Sequence, residues 1–263
     1  MDQFPAANRL LVDEEGNFIF LQTEESKLHK FISLSGYDSA IHIGGRANRA
    51  EGFLNPIEIR LQGRQVLYVL DEVARRVILL NTNFKIIDEL NLIDLEAGFA
   101  GRELPEEIMP THFDVSAIGE LYLLNQLDNK VYKLNAFGEL EASFGGLDYG
   151  DGSLYEPVWL QVDQNNFVYV ADTSDQIIKV YDNYGIFRYE MRPEAPARWQ
   201  RFVIQSGLLL LFDSRSIHIL SLKDMKGKSF YPNLSSPILD LSLQGDFLYL
   251  LTENTVHLYP FRN

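Results

Sequence analysis

The chain has no cysteine. Disulfides, thiolate nucleophiles and Cys-ligated zinc are therefore excluded, while the redox compartment stays open. Positive charge is also scarce: 23 Lys and Arg stand against 37 Asp and Glu, a formal charge of −14. So acidic a surface repels a phosphate backbone. Arg75-Arg76 and Lys223 with Lys226 and Lys228 are too small to form a basic stripe, so nucleic acid is not an expected partner. No run of about 18 apolar residues occurs, which leaves no transmembrane helix. The start, Met1-Asp2-Gln3-Phe4-Pro5, lacks the basic region and apolar core of a signal peptide. A mature chain with its signal removed is favoured over a cytoplasmic start, so a periplasmic or cell-envelope location is expected. Serine elbows, P-loops and dinucleotide fingerprints are missing. Gly44-Gly45 and Gly145-Gly146 stand before strand patterns rather than helices, which argues against a phosphate cradle.

What is present is short apolar runs broken by turns. Of 263 residues 46% are apolar, enough for a buried core. Residues 156–190 hold four such runs without helical spacing, the pattern of a four-stranded antiparallel meander. The pattern recurs. Its second strand reads Phe18–Thr23, Val66–Asp71, Leu121–Gln126, Phe167–Asp172, Leu208–Asp213 and Phe247–Thr252. Gly16, Gly63, Gly119, Asn166, Gly207 and Gly245 precede these runs and suit tight hairpins. First strands open on Pro56, Pro110, Pro157 and Pro237, where a missing amide hydrogen costs little. Six repeats predict an all-β, six-bladed β-propeller of four-stranded antiparallel blades. It is read as one domain over 1–263, with blades near 6–45, 55–92, 109–146, 156–192, 197–231 and 236–263. The last repeat stops after its third strand, so blade six is expected to have a short or absent outer strand.

The unit resembles the NHL repeat. Val162-Asp163, Tyr169-Val170-Ala171-Asp172 and Val180-Tyr181-Asp182 ending in Gly185 carry the resemblance most clearly. Gly44-Gly45-Arg46 through Gly52-Phe53-Leu54-Asn55-Pro56 and Phe144-Gly145-Gly146 before Glu156-Pro157 repeat its linker. The NHL resemblance implies a structural unit rather than one activity.

Three connections are long, 44–55, 91–109 and 145–156, and long loops in compact domains tend to be functional. The 91–109 segment is expected to hold a short helix. A protein- or peptide-binding face is therefore expected there. Its candidate residues are Arg46, Arg49, Glu58, Phe99, Arg102, His112, Tyr149, Tyr155 and Trp159. Glu58, His112 and Trp159 belong to a column with Arg9, Gln200 and Leu239, placed near a channel mouth. Trp159 reads equally as inter-blade core. Thr23, Asp71, Gln126, Asp172, Asp213 and Thr252 form a second column, read as turn caps before a cation site.

His29, His218 and His257 share a place on the third strands, too far apart for zinc. No catalytic residue, metal or cofactor is assigned. The alternative is a hydrolase or lyase using a divalent cation held by Glu58, Asp71, Asp172 and Asp213. Gluconolactonase-like propellers imply a Glu, Asn and Asp set, which Glu58, Asn125 and Asp172 or Asp213 imitate without its spacing. A third reading is a structural subunit that pairs its open blade-six edge with a partner strand.

Overall fold

The computed structural model describes residues 4, 6–33, 36, 40–45, 52–93, 95, 107–194, 199 and 201–261. These form six antiparallel sheets, five of four strands and one of three. The chain divides into two compact units, Met1–Glu89 with Asn233–Asn263, and Leu90–Pro232.

In the first unit, blade one is β1 (Arg9–Val12), β2 (Phe18–Gln22), β3 (Lys27–Phe31) and β4 (Ala40–Gly44). Blade two is β5 (Pro56–Gln62), β6 (Val66–Asp71), β7 (Arg76–Asn81) and β8 (Ile86–Asn91). Ile19, Leu21 and Leu28 of blade one pack on Ile59, Val69 and Ile78 of blade two. Blade one buries its other face, with Leu10, Phe18 and Phe20, against Phe4, Leu251 and Val256.

In the second unit, blade three is β9 (Pro110–Val115), β10 (Leu121–Asn125), β11 (Lys130–Leu134) and β12 (Leu140–Gly145). Blade four is β13 (Pro157–Val162), β14 (Val168–Asp172), β15 (Ile177–Tyr181) and β16 (Phe187–Met191). Blade five is β17 (Arg201–Gln205), β18 (Leu208–Phe212), β19 (Ile217–Ser221) and β20 (Gly227–Phe230). Tyr122, Leu124 and Phe144 meet Leu160, Val170 and Tyr181 between blades three and four. Trp159, Ala171 and Val180 meet Trp199, Phe202 and Leu211 between blades four and five. Alternate residues of β2 and of β14 thus serve opposite neighbours, the consequence of a period of two with both faces covered.

Blade six, in the first unit, has β21 (Asp240–Gln244), β22 (Phe247–Leu251) and β23 (Val256–Pro260), and among the described residues no fourth strand. Three strands among the described residues agree with the expected short or absent outer strand, and residues 2, 3 and 5 lie outside them.

The hairpin residues behave as their chemistry requires. Gly16, Gly63, Gly119, Asn166, Gly207 and Gly245 all have positive φ. Asp13, Asn81, Asn135, Asp163 and Asp182 each accept two backbone amides of their own turn through one side-chain oxygen.

The prolines divide the blades. Pro56, Pro110 and Pro157 are the first residues of their strands, and each is followed by a bulge that extrudes one residue. Pro237 instead lies three residues ahead of β21, so blade six does not open on proline.

Candidate functional site

The carboxylates at the second-strand ends are engaged by the protein's own amides, hydroxyls and cations. Asp71 accepts the amides of Leu54 and Asn55 at 2.9 and 2.8 Å and pairs with Arg76. Asp172 accepts those of Tyr155 and Glu156 at 2.8 and 3.1 Å, and the amide and hydroxyl of Ser174. Glu58 is bound by Arg9 and Arg60. Asp213 caps Arg215 and Ser216. Its carboxyl is held below its ordinary range by these bonds, which overcome the larger opposing effect of burial. Among the described residues no three His, Cys, Asp or Glu side chains come together as metal ligands.

Hydrogen bonding is what these residues do, and Asp172 caps its own turn at Ser174 as expected, but in blades two to four the loop entering strand one is a target as well. Asp71 and Asp172 hold the loop entering strand one of their own blade. In blade three the same place is taken by Asn125, not Gln126: it accepts the Met109 amide and donates to the Glu107 carbonyl. In blade one the place belongs to Gln22 rather than Thr23.

The first-strand column needs the same correction. The register position that Trp159 holds in its blade is held in theirs by Arg9, Glu58 and His112 as expected, but by Arg201 and Asp240 in place of Gln200 and Leu239. Gln200 lies outside the described residues. In the first unit this column is a charged trio. Arg9 bridges to Glu58 at 2.9 Å and lies near Asp240; burial opposes its charge, but the two carboxylates raise its pKa. In the second unit it is a trio of ring contacts. The His112 and Trp159 ring centres are 3.7 Å apart, and the Arg201 guanidinium sits 5.3 Å from the Trp159 ring. Trp159 donates its indole N–H to the Phe202 carbonyl.

Glu58, His112 and Trp159 are only 1%, 2% and 7% exposed, so they build the frame between first strands rather than display themselves. Arg46, Arg49, Phe99 and Arg102 lie outside the described residues, as does most of the segment expected to hold a helix. The histidines of the third strands bond within their own blades: His29 to Gln22, His218 to Ser216 and Ser229, His257 to Thr252.

Tyr149 and Tyr155 belong to the one long loop that is described throughout. It is tightly built. Gly145 and Gly146 have positive φ, and the Leu154 amide returns to the Gly146 carbonyl. Ser153 Oγ accepts the Tyr149 amide and donates to the Leu147 carbonyl. Lys179 and Tyr181 reach up from β15 to the carbonyls of Asp151 and Gly152. Burial raises the Tyr181 hydroxyl pKa and keeps it a donor. The neighbouring turn of blade three is tied on by Gln126 to the Pro157 carbonyl and Asn129 to the Tyr155 carbonyl.

Comparison with known proteins bears on the fold. No family model and no curated protein matches the chain. Solved structures do. A gluconolactonase, XC5397 from Xanthomonas campestris, is similar with a TM-score of 0.68 at 13% identity, over 99% of this chain and 88% of that one. Virginiamycin B lyase from Staphylococcus aureus gives 0.63 at 14%, over 93% and 76%. A chain of the mitotic checkpoint complex gives 0.65 at 10%, over 100% and 91%. The chain is a six-bladed β-propeller. At these identities the likeness carries fold and not activity, and the propeller neighbours include two enzymes and a member of a protein assembly.

Proposed function

We propose that the chain is a rigid, non-enzymatic binding module, one NHL-like propeller domain, that recognises a protein or peptide on its long-loop side. The observation that carries this is the state of loop 145–156. It is fastened by side chains of β14 and β15 and by Asn129 of the blade-three turn, yet it presents Leu147 at 60% and Tyr155 at 52% exposure beside Leu127 at 65%. Large apolar side chains held out on a fixed frame lose little entropy on binding and suit an interface centre. Asp128, Asp148, Asp151 and Glu156 belong to the same two segments, which favours a partner with apolar and basic residues.

A peptide library panned on the immobilised protein tests this. Enriched peptides should bind the Leu127→Asp/Leu147→Asp/Tyr155→Asp variant at least about tenfold more weakly, with melting temperature unchanged. Equal binding to the variant would remove the reading.

The enzyme alternative draws on the lyase and gluconolactonase neighbours. Its proposed ligands Glu58, Asp71, Asp172 and Asp213 are already engaged by arginines, amides and hydroxyls. A melting temperature that rises with calcium, magnesium or zinc would restore it.

A further inference from the structure

The second unit has a groove of about 610 Å³ between blades four and five, lined by Asp163, Phe167, Tyr169, Tyr189, Ile204 and Leu222 among others. It sits at the turn that follows β13, the opposite end of that strand from loop 145–156, and does not depend on the function proposed above.

The repeats show what normally occupies this place. In blade one the fourth residue of the third strand is Lys30, paired with Ile19 and Ile41. In blade three it is Lys133, paired with Tyr122 and Ala142. Both lysines are buried to 5% exposure between blades. The Lys30 ammonium lies 3.2 Å from Asp13 and donates to the Thr82 carbonyl of the next blade at 3.4 Å. The Lys133 ammonium lies 2.7 Å from Glu120 and 3.0 Å from Glu141, and 6.0 Å from the Tyr122 ring centre.

Blade four keeps the surroundings and lacks the cation. Its residue in this row is Val180, paired with Tyr169 and Tyr189. Asp163 holds the turn position of Asp13, each using one oxygen to cap two amides. Tyr169 holds the position of Tyr122, its hydroxyl 3.2 Å from Asp163. Leu222 holds that of Thr82, each following the last residue of its blade's third strand. The first residue of this turn is Gln62, Gln205 and Gln244 in blades two, five and six, where the row carries Leu79, Ile219 and Leu258. Only blade four joins an acid at the turn to an aliphatic residue in the row. Val180 is three heavy atoms shorter along its stem than lysine and is fully buried, and the groove is lined by Asp163 and by its two partners in the row, Tyr169 and Tyr189.

We propose that this groove receives the primary ammonium of a lysine side chain from another molecule, with Asp163 as counter-ion and the Tyr169 and Tyr189 rings as walls. Lysine is the expected source because the two built-in occupants are lysines, whose butyl stems run along the same sheet wall. Tyr189 is half exposed and gives the stem a face to lie on. Lys223 lines the rim from blade five and is the one cation among the lining residues. It opposes a second ammonium.

The test is calorimetric titration of the full chain with Nα-acetyl-lysine methylamide, a lysine-containing pentapeptide, cadaverine, and Nε-acetylated lysine as an uncharged control. Saturable binding of the lysine amide and peptide is expected, with none for the acetylated control. Val180→Lys supplies the ammonium in cis and should abolish binding while raising the melting temperature. Asp163→Asn keeps the turn cap but removes the charge and should weaken binding at least about tenfold, whereas Lys223→Ala should strengthen it. No saturable binding of any amine, or binding unchanged in both Val180→Lys and Asp163→Asn, overturns the proposal. Binding of cadaverine without either lysine ligand overturns the lysyl assignment.

Discussion

Blades two, three and four differ from blades one, five and six in how their first strand begins. The former open on Pro56, Pro110 and Pro157, extrude one residue as a bulge, and end strand two on Asp71, Asn125 or Asp172. The latter run in plain register, and Asp213 and Thr252 serve only their own turns. The bulged blades are also the three entered by long loops. Bulge and side-chain clamp therefore belong together as one device. The bulge re-aims the entering chain, and the buried carboxylate or amide satisfies its amides. Among the described residues blades five and six have neither, and in blade one Gln22 donates to the Ala6 carbonyl without a bulge.

Removing the clamp should break this comparison most visibly. Asp172→Ala leaves the Tyr155 and Glu156 amides without their acceptor and should cost about 3 kcal/mol. Asp213→Ala, in a plain blade, should cost about 1 kcal/mol. Urea unfolding of both variants measures the difference, and equal losses would dissolve the distinction.

Two glycines sharpen it. Gly145 begins the long loop at φ 82, and a Cβ there would stand 2.6 Å from Leu154 and 3.1 Å from the Asn129 carbonyl. Gly207, in a turn of blade five at φ 77, has nothing within 4 Å. Alanine at Gly145 should cost about 2 kcal/mol, from backbone strain and crowding, and at Gly207 about 1 kcal/mol from strain alone. Thermal denaturation of the two variants separates the contributions.

Acid should give the smallest contrast. All three third-strand histidines, His29, His218 and His257, lie in plain blades. Burial lowers each pKa; Lys27 and His42 help at His29, which falls from 6.5 to about 4. The unfolded chain then binds protons that these histidines refuse when folded. Their contribution to stability is intact above pH 6.5 and is lost as pH falls towards about 4. Hydrogen exchange followed from pH 7 to pH 5 should show blades one, five and six losing protection before blades two to four. His29→Gln should delay that loss in blade one.

Much of this was legible in the chain itself. Hairpin residues with a local conformational requirement, Gly16, Gly119 and Asn166 among them, were placed where positive φ is needed. Errors came where a position depends on pairing. Gln126 was counted for Asn125, Gln200 for Arg201 and Leu239 for Asp240. Each is a slip of one residue, and in a strand one residue exchanges the two faces. The exposed Leu127 and Leu147 carried no signal, because an apolar residue in a loop reads the same whether it is packed or displayed.

The sequence by itself determined the number of blades, their strand order, the hairpins and the incomplete last blade. These follow from turn chemistry and a period of two, which act within a few residues. Tertiary structure alone decided that Asp71, Asn125 and Asp172 hold loops, that Trp159 meets both His112 and Arg201, and that a groove walled by Tyr169 and Tyr189 stands in the row that Lys30 and Lys133 fill in their own blades. Those outcomes depend on which side chains meet across strands and between blades, and no local rule contains that register.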